Sequence, residues 1–280
     1  MEDPNRITRL SQYRHDRSRF ACIVYSLAVI FFAVSLLQWI LMIVIEGLRD
    51  FIIDFYYISI LALIISLLLV TAFVFFENLR FAAPLNWLIT LIIVFATTWG
   101  LSRAIVEANT SLLLLAVLFV LILTVIFIMI GVCIGHDLTL DVVILFVVAV
   151  IFFVVSVFFV MLQILAGVKL AYSIYALFII ITVLMFMMYH AQTINGFRYA
   201  EMRINDFLLA ALIIYHDMTL LLIMSFYFIA KFNEWIGGTG LRLFGESCCG
   251  VDRNDTERYA GGGMPFTDAD GENKVAPIYL

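Results

Sequence analysis

The sequence predicts an all-α membrane protein, a bundle of seven transmembrane helices. Composition is the first reason: of 280 residues, 65% are apolar or aromatic and 13% are charged, about half the roughly 25% charged content of ordinary globular domains. Charge placement is the second, because residues 1–19 hold 8 charged side chains and residues 233–280 hold 12. The third is that the intervening stretch contains repeated apolar runs free of charge. The chain therefore divides into an Arg-rich tail at 1–19, a transmembrane domain at 20–232 and a flexible, glycine-rich tail at 233–280.

A hydrocarbon core about 30 Å thick takes roughly 20 helical residues to cross. Seven runs approach or exceed that length: 20–45, 55–76, 85–101, 112–134, 142–165, 170–189 and 207–230. The first is too long for a removable signal segment and has no small-residue cleavage site after it, so it is expected to remain as an anchor. Arg6, Arg9, Arg14, Arg17 and Arg19 precede it, and the positive-inside rule puts that end in the cytosol. With seven spans the cytosolic segments carry eight basic residues, and the opposite loops carry Arg49, Arg103 and Lys169. The last tail then falls on the lumenal or outer side. Two sequons, Asn109-Thr110-Ser111 and Asn254-Asp255-Thr256, agree with that side. Trp87, Trp99 and Trp235 lie near span ends, as interfacial aromatics do.

The tail holds nine of the fifteen glycines, a composition that reads as disordered. Its acidic stretch Asp268-Ala269-Asp270-Gly271-Glu272 is not an EF-hand, since that loop needs glycine sixth and glutamate twelfth and Asn273 and Tyr279 occupy those places. Cys22, Cys133, Cys248 and Cys249 form neither a disulfide framework nor a zinc pattern. Glu46, Asp50 and Asp54 recur every fourth residue after the first span and read as a solvated acidic loop.

Asp217 is the carboxylate deep inside a span, ten residues into the seventh run. An aspartate at a helix centre costs roughly 2.5 to 3.5 kcal/mol on insertion scales, so it is expected to face the bundle interior or a wet path. His190 ends the sixth run, and antiparallel neighbours would bring it toward Asp217. A histidine titrates in the physiological window, which makes the two a candidate proton switch. His216 points about 100° away around the same helix.

Four motifs, in order, resemble those of the transmembrane Bax inhibitor motif family, its Lifeguard branch in particular. Arg80-Phe81-Ala82-Ala83-Pro84-Leu85-Asn86 resembles R-R-x-x-P-x-N, and His136-Asp137-Leu138-Thr139 resembles Y-D-F-T. Tyr189-His190-Ala191-Gln192-Thr193-Ile194-Asn195-Gly196 resembles Y-D-T-Q-x-x-x-G, and Ala210-Ala211-Leu212-Ile213-Ile214-Tyr215-His216-Asp217 resembles A-L-x-x-Y-x-D. The resemblance covers residues 20–232. It implies a bundle with the last helix central, a pH-dependent calcium leak gated by two aspartates on the sixth and seventh helices, and suppression of apoptosis at the endoplasmic reticulum, Golgi or related membranes.

Carried over residue by residue, the resemblance assigns gating or pH sensing to Asp217, His190 and Arg80, and motif positions to Pro84, Asn86, Asp137 and Gly196. Asp217 matches the second aspartate and becomes the candidate calcium ligand. His190 stands in place of the first aspartate, and Phe81 in place of the second arginine. Calcium prefers oxygen ligands, so a histidine–aspartate site is expected to hold it less well than two carboxylates. No other cofactor is expected. The expected partners are the lipid bilayer, calcium ions and apoptosis-regulating membrane proteins, with no nucleic acid.

Other classes fit worse. A seven-helix receptor places its N-terminus outside, against the five arginines, and its D-R-Y and N-P-x-x-Y signatures are missing from the expected places. A retinal protein needs a lysine within the last span, and Lys231 falls at its end. The motifs of intramembrane proteases, G-x-S-x-G, paired buried aspartates and H-E-x-x-H, are absent too, so no enzyme is expected. The runner-up is a non-conducting membrane protein that regulates cell death by binding partners.

Overall fold

A computed structural model describes residues 4–168 and 170–238 of the chain. The sequon at Asn254, Cys248, Cys249 and Lys169 lie outside the described residues, as does most of the glycine-rich tail. The described part is all helical in its regular elements: α1 (Pro4–Val44), α2 (Glu46–Asp54), α3 (Tyr56–Phe75), α4 (Glu77–Phe81), α5 (Leu85–Val106), α6 (Thr110–Cys133), α7 (Val142–Ala166), α8 (Leu170–Asn195) and α9 (Phe207–Gly238). A single 3₁₀ turn, Ile204–Asp206, leads into α9. Seven of the helices, all but α2 and α4, are long and apolar enough to cross a membrane.

Apolar residues surround these helices on every side, so lipid takes the outer faces and the inner faces must find one another. The last helix takes the centre. It packs on α1, α5, α6 and α8, and 61% of its apolar window is buried against 11% for α7, which leans chiefly on α8. Burial along α9 includes Leu208, Ala211, Tyr215, Met218 and Leu222, a row three to four residues apart that one helical face presents.

Hydroxyls stitch the inner faces together. Ser35 of α1 lies 2.7 Å from the Thr98 hydroxyl and 2.9 Å from that of Tyr215, while the Trp39 ring N–H donates to the Thr98 carbonyl at 2.9 Å. Between α3 and α5, Ser66 meets Thr97 at 2.6 Å and Ser59 meets Ser102 at 3.0 Å. These bonds set the antiparallel register of α3 and α5 and satisfy polar groups that lipid could not.

Close approach of α3 and α5 depends on Gly100. A Cβ built there would stand 2.8 Å from both Cα and Cβ of Leu63, nearer than packed carbons tolerate. Gly100→Val is expected to lower stability by about 2 kcal/mol, the scale of core overpacking, seen as a drop in thermal midpoint in detergent. An unchanged midpoint would show that the two helices part without cost.

The helices exceed the apolar runs in several places. α1 starts at Pro4 rather than Phe20, since the Arg-rich segment is itself helical and extends the span backward. The acidic stretch expected as a loop is instead α2, with Ile52 buried against the bundle. α8 continues to Asn195, placing His190 inside the helix and not at its end. α9 continues to Gly238, so residues 233–238, read as tail, are helical. In each case polar side chains hide a helix from an apolarity criterion without breaking its backbone.

Candidate functional site: a histidine–aspartate pair beside a polar clasp

α8 and α9 are antiparallel neighbours, and their facing sides bring His190 and Asp217 together. Nδ1 of His190 lies 2.7 Å from Oδ2 of Asp217, with the side chains 21% and 15% exposed. Asp217 sits ten residues into its helix, roughly 15 Å along the axis. The imidazole is fixed from its own helix by near-parallel Phe186, with ring centroids 6.2 Å apart, and by Tyr189 edge-on at 5.6 Å. Three protonation states keep a hydrogen bond here: imidazolium with carboxylate, neutral imidazole donating to carboxylate, and carboxylic acid donating to imidazole. Only the first sets opposite charges against each other.

A cavity of about 250 Å³ reaches His190 and is bounded also by Tyr189, Thr193, Glu201, Met202 and Ile213. Three of those wall residues, Thr193, Glu201 and Met202, are gripped by Arg17 of α1. The Arg17 side chain is 2% exposed. Its guanidinium donates to the Met202 carbonyl at 2.5 Å and the Thr193 carbonyl at 2.8 Å, and it stands 3.5 Å from the Glu201 carboxylate. Tyr13 donates its hydroxyl to the same carboxylate, and the Phe197 ring lies edge-on to Tyr13. The other Glu201 oxygen accepts from the Phe197 N–H at 2.5 Å.

The side chain of Glu201 is partly withdrawn from water, which pushes its carboxyl upward. The Tyr13 hydroxyl, the Phe197 N–H and the Arg17 charge outweigh that and hold it below the usual glutamate range.

Gly196 makes the clasp possible. Its φ of +74° ends α8 in the left-handed conformation, and a Cβ there would collide with the Arg17 guanidine stem. Other motif positions do comparable work on the same end of the bundle. Asp137 accepts from the Thr139 hydroxyl at 2.6 Å and from the Tyr199 N–H at 2.9 Å, bonds that hold its carboxyl below the usual aspartate range. Gln192, 1% exposed, donates to the His136 carbonyl at 2.9 Å and accepts from the Leu138 N–H at 2.8 Å. Asn86 donates to the Arg80 carbonyl at 3.0 Å, tying α4 to α5, and Pro84 occupies the position just before α5.

Arg80 pairs elsewhere. Its guanidinium lies 3.3 Å from the Asp206 carboxylate, flanked by an ion pair between Arg203 and Glu77. It joins α4 to the start of α9 and is not a hydrogen-bond partner of His190 or Asp217. His216 faces away from the pair as well: Nδ1 donates to the Leu212 carbonyl at 2.7 Å, and Nε2 lies 3.5 Å from Thr97. Among the described residues no group of three or more His, Cys, Asp or Glu side chains is placed to hold a metal ion.

Sequence reasoning passed over Arg17, Glu201 and Asp206. A signal for the first was present: Arg17 shares the i, i+3, i+4, i+7 stripe with Phe20, Ala21 and Val24, all buried, which marks an inward-facing arginine. Asp206 directly precedes the last apolar run, but nothing local names Arg80, 126 residues earlier, as its partner. Glu201 carries no local signal.

Fold and site together define a multi-pass, all-α membrane protein with an ionisable pair between its last two helices. No family model, curated protein or solved structure matches the chain.

Proposed function

We propose that this protein is a pH-sensitive cation leak, with calcium as its ion, or a regulator of such a leak in an endomembrane such as the endoplasmic reticulum or Golgi. The single observation that carries the reading is the hydrogen-bonded His190–Asp217 pair inside the membrane domain. Ionisable groups at that depth are costly and are kept for ion paths, proton relays or binding. The adjoining cavity supports it by reaching His190 along a wall that includes Thr193 and Glu201. The resemblance to the Bax inhibitor motif family, resting on motifs alone, supplies calcium and cell death as the physiological expectation.

With one carboxylate and one imidazole the pair suits gating better than tight coordination, because a hard cation wants several oxygens. As imidazolium and carboxylate the two residues attract and hold α8 to α9. Loss of either charge leaves at most a hydrogen bond in place of the ion pair and so weakens the contact.

The expected result is that Asp217→Asn, reconstituted in vesicles, flattens the difference in calcium flux between about pH 6 and about pH 8 while inserting and folding normally. A mutant that keeps the parent pH response would reduce Asp217 to a packing residue.

A further inference from the structure

α3 begins and α5 ends at the face of the bundle opposite the chain's N-terminus, and between them lies a second cavity of about 500 Å³. That volume falls within the range of small-molecule sites. Its polar wall is one cation in the last turn of α5 and one anion on the residue that caps the helix end. Arg103 and Glu107 meet at 2.6 Å, with side chains 35% and 49% exposed. Its other wall is apolar, formed by Ile60 and Leu101, and Ile60 is 52% exposed on the outer face of α3.

The guanidinium is held in place. One Nη1 hydrogen goes to the Ile53 carbonyl at 2.6 Å, which closes the end of α2 onto α5, and the plane lies 5.7 Å from the Tyr56 ring centre. Of the five N–H groups an arginine carries, the Ile53 carbonyl takes one on Nη1 and Glu107 takes one on Nη2. Tyr56 belongs to an exposed aromatic group with Phe51, Phe55 and Tyr57, whose rings pack on one another. Exposed aromatics at the end of a transmembrane helix sit at headgroup depth. The cavity therefore opens where lipid headgroups lie, with acyl-compatible surface on one side.

The charge balance selects among headgroups. An anionic lipid would gain from Arg103 and lose to Glu107. A phosphocholine or phosphoethanolamine group carries a phosphate and an ammonium joined by two carbons and has a partner for each. We propose that this cavity is a binding site for a zwitterionic phospholipid, with Arg103 taking the phosphate through its unoccupied N–H groups and Glu107 with the Tyr56 ring taking the ammonium.

The test is lipid retention by the purified full chain in mixed phosphatidylcholine, phosphatidylethanolamine and phosphatidylglycerol, read by native mass spectrometry. The parent should retain the zwitterionic lipids about tenfold over phosphatidylglycerol, the worth of one charged hydrogen bond. Glu107→Gln leaves the Ile53 anchor intact and makes the cavity net positive, so the preference should invert toward phosphatidylglycerol. Arg103→Gln should abolish retention. If Arg103→Gln fails to fold, the Glu107→Gln inversion decides alone. No class preference in the parent, or the parent's preference surviving in Glu107→Gln, overturns the proposal. Displacement of the retained lipid by equimolar soluble phosphocholine would assign the site to a free headgroup and overturn the lipid source.

Discussion

Arg17→Ala is expected to destabilise the protein by about 3 kcal/mol, the scale for breaking a buried ionic contact, and to expose the segment 196–203 to proteolysis. The substitution removes the donor to two backbone carbonyls, Thr193 and Met202, and the nearby positive charge from Glu201. Arg17→Lys should recover little, because a single ammonium cannot reproduce the planar fork that spans both carbonyls. The clasp should also fail in acid. Glu201 is held below its ordinary range, so its stabilising contribution is complete above that range and is lost as pH falls through the lowered value. Thermal midpoints of parent and variants in detergent, together with limited proteolysis, check both statements. Full stability in Arg17→Ala would mean that α1 holds the loop by packing alone.

His190→Asp should raise calcium flux five- to tenfold, on the order of a typical coupling energy between states, and shift its pH midpoint. The parent pair is attractive when the imidazole is protonated. Two carboxylates placed where His190 now meets Asp217 would share one proton, and the contact becomes repulsive once that proton leaves with rising pH. The change also supplies a second oxygen for a passing cation. Flux that neither rises nor moves along the pH axis, in a parent that conducts, would remove the pair from the gate.

The sequence made the seven spans legible because lipid imposes length and apolarity on every crossing helix, and it made Asp217 legible because a lone carboxylate in such a helix is conspicuous. His190 was legible as a neighbour once antiparallel pairing of the last spans was assumed. The clasp was not. Arg17 counted only as one more cytosolic-side charge, since charge tallies ignore which face of a helix a residue occupies. Arg80 was grouped with the pair through motif resemblance, while its partner Asp206 comes from a 3₁₀ turn that no apolar run contains. Polar helix extensions escaped for the same reason: hydropathy finds the part of a helix that meets lipid and is silent on the rest. The motif residues, by contrast, turn out to share one physical task. Asn86, Asp137, Gln192 and Gly196 each fasten loops or helix ends on the N-terminal side of the bundle.

The central claim is that the charge state of His190 and Asp217 controls passage through the bundle. Calcium efflux from vesicles containing the parent protein, followed from about pH 5 to about pH 9 across the histidine range, tests it most directly. A flux minimum is expected where imidazolium faces carboxylate, with higher flux wherever either of the two charges is lost. Flux independent of pH across that range, or no flux above empty vesicles, would contradict it.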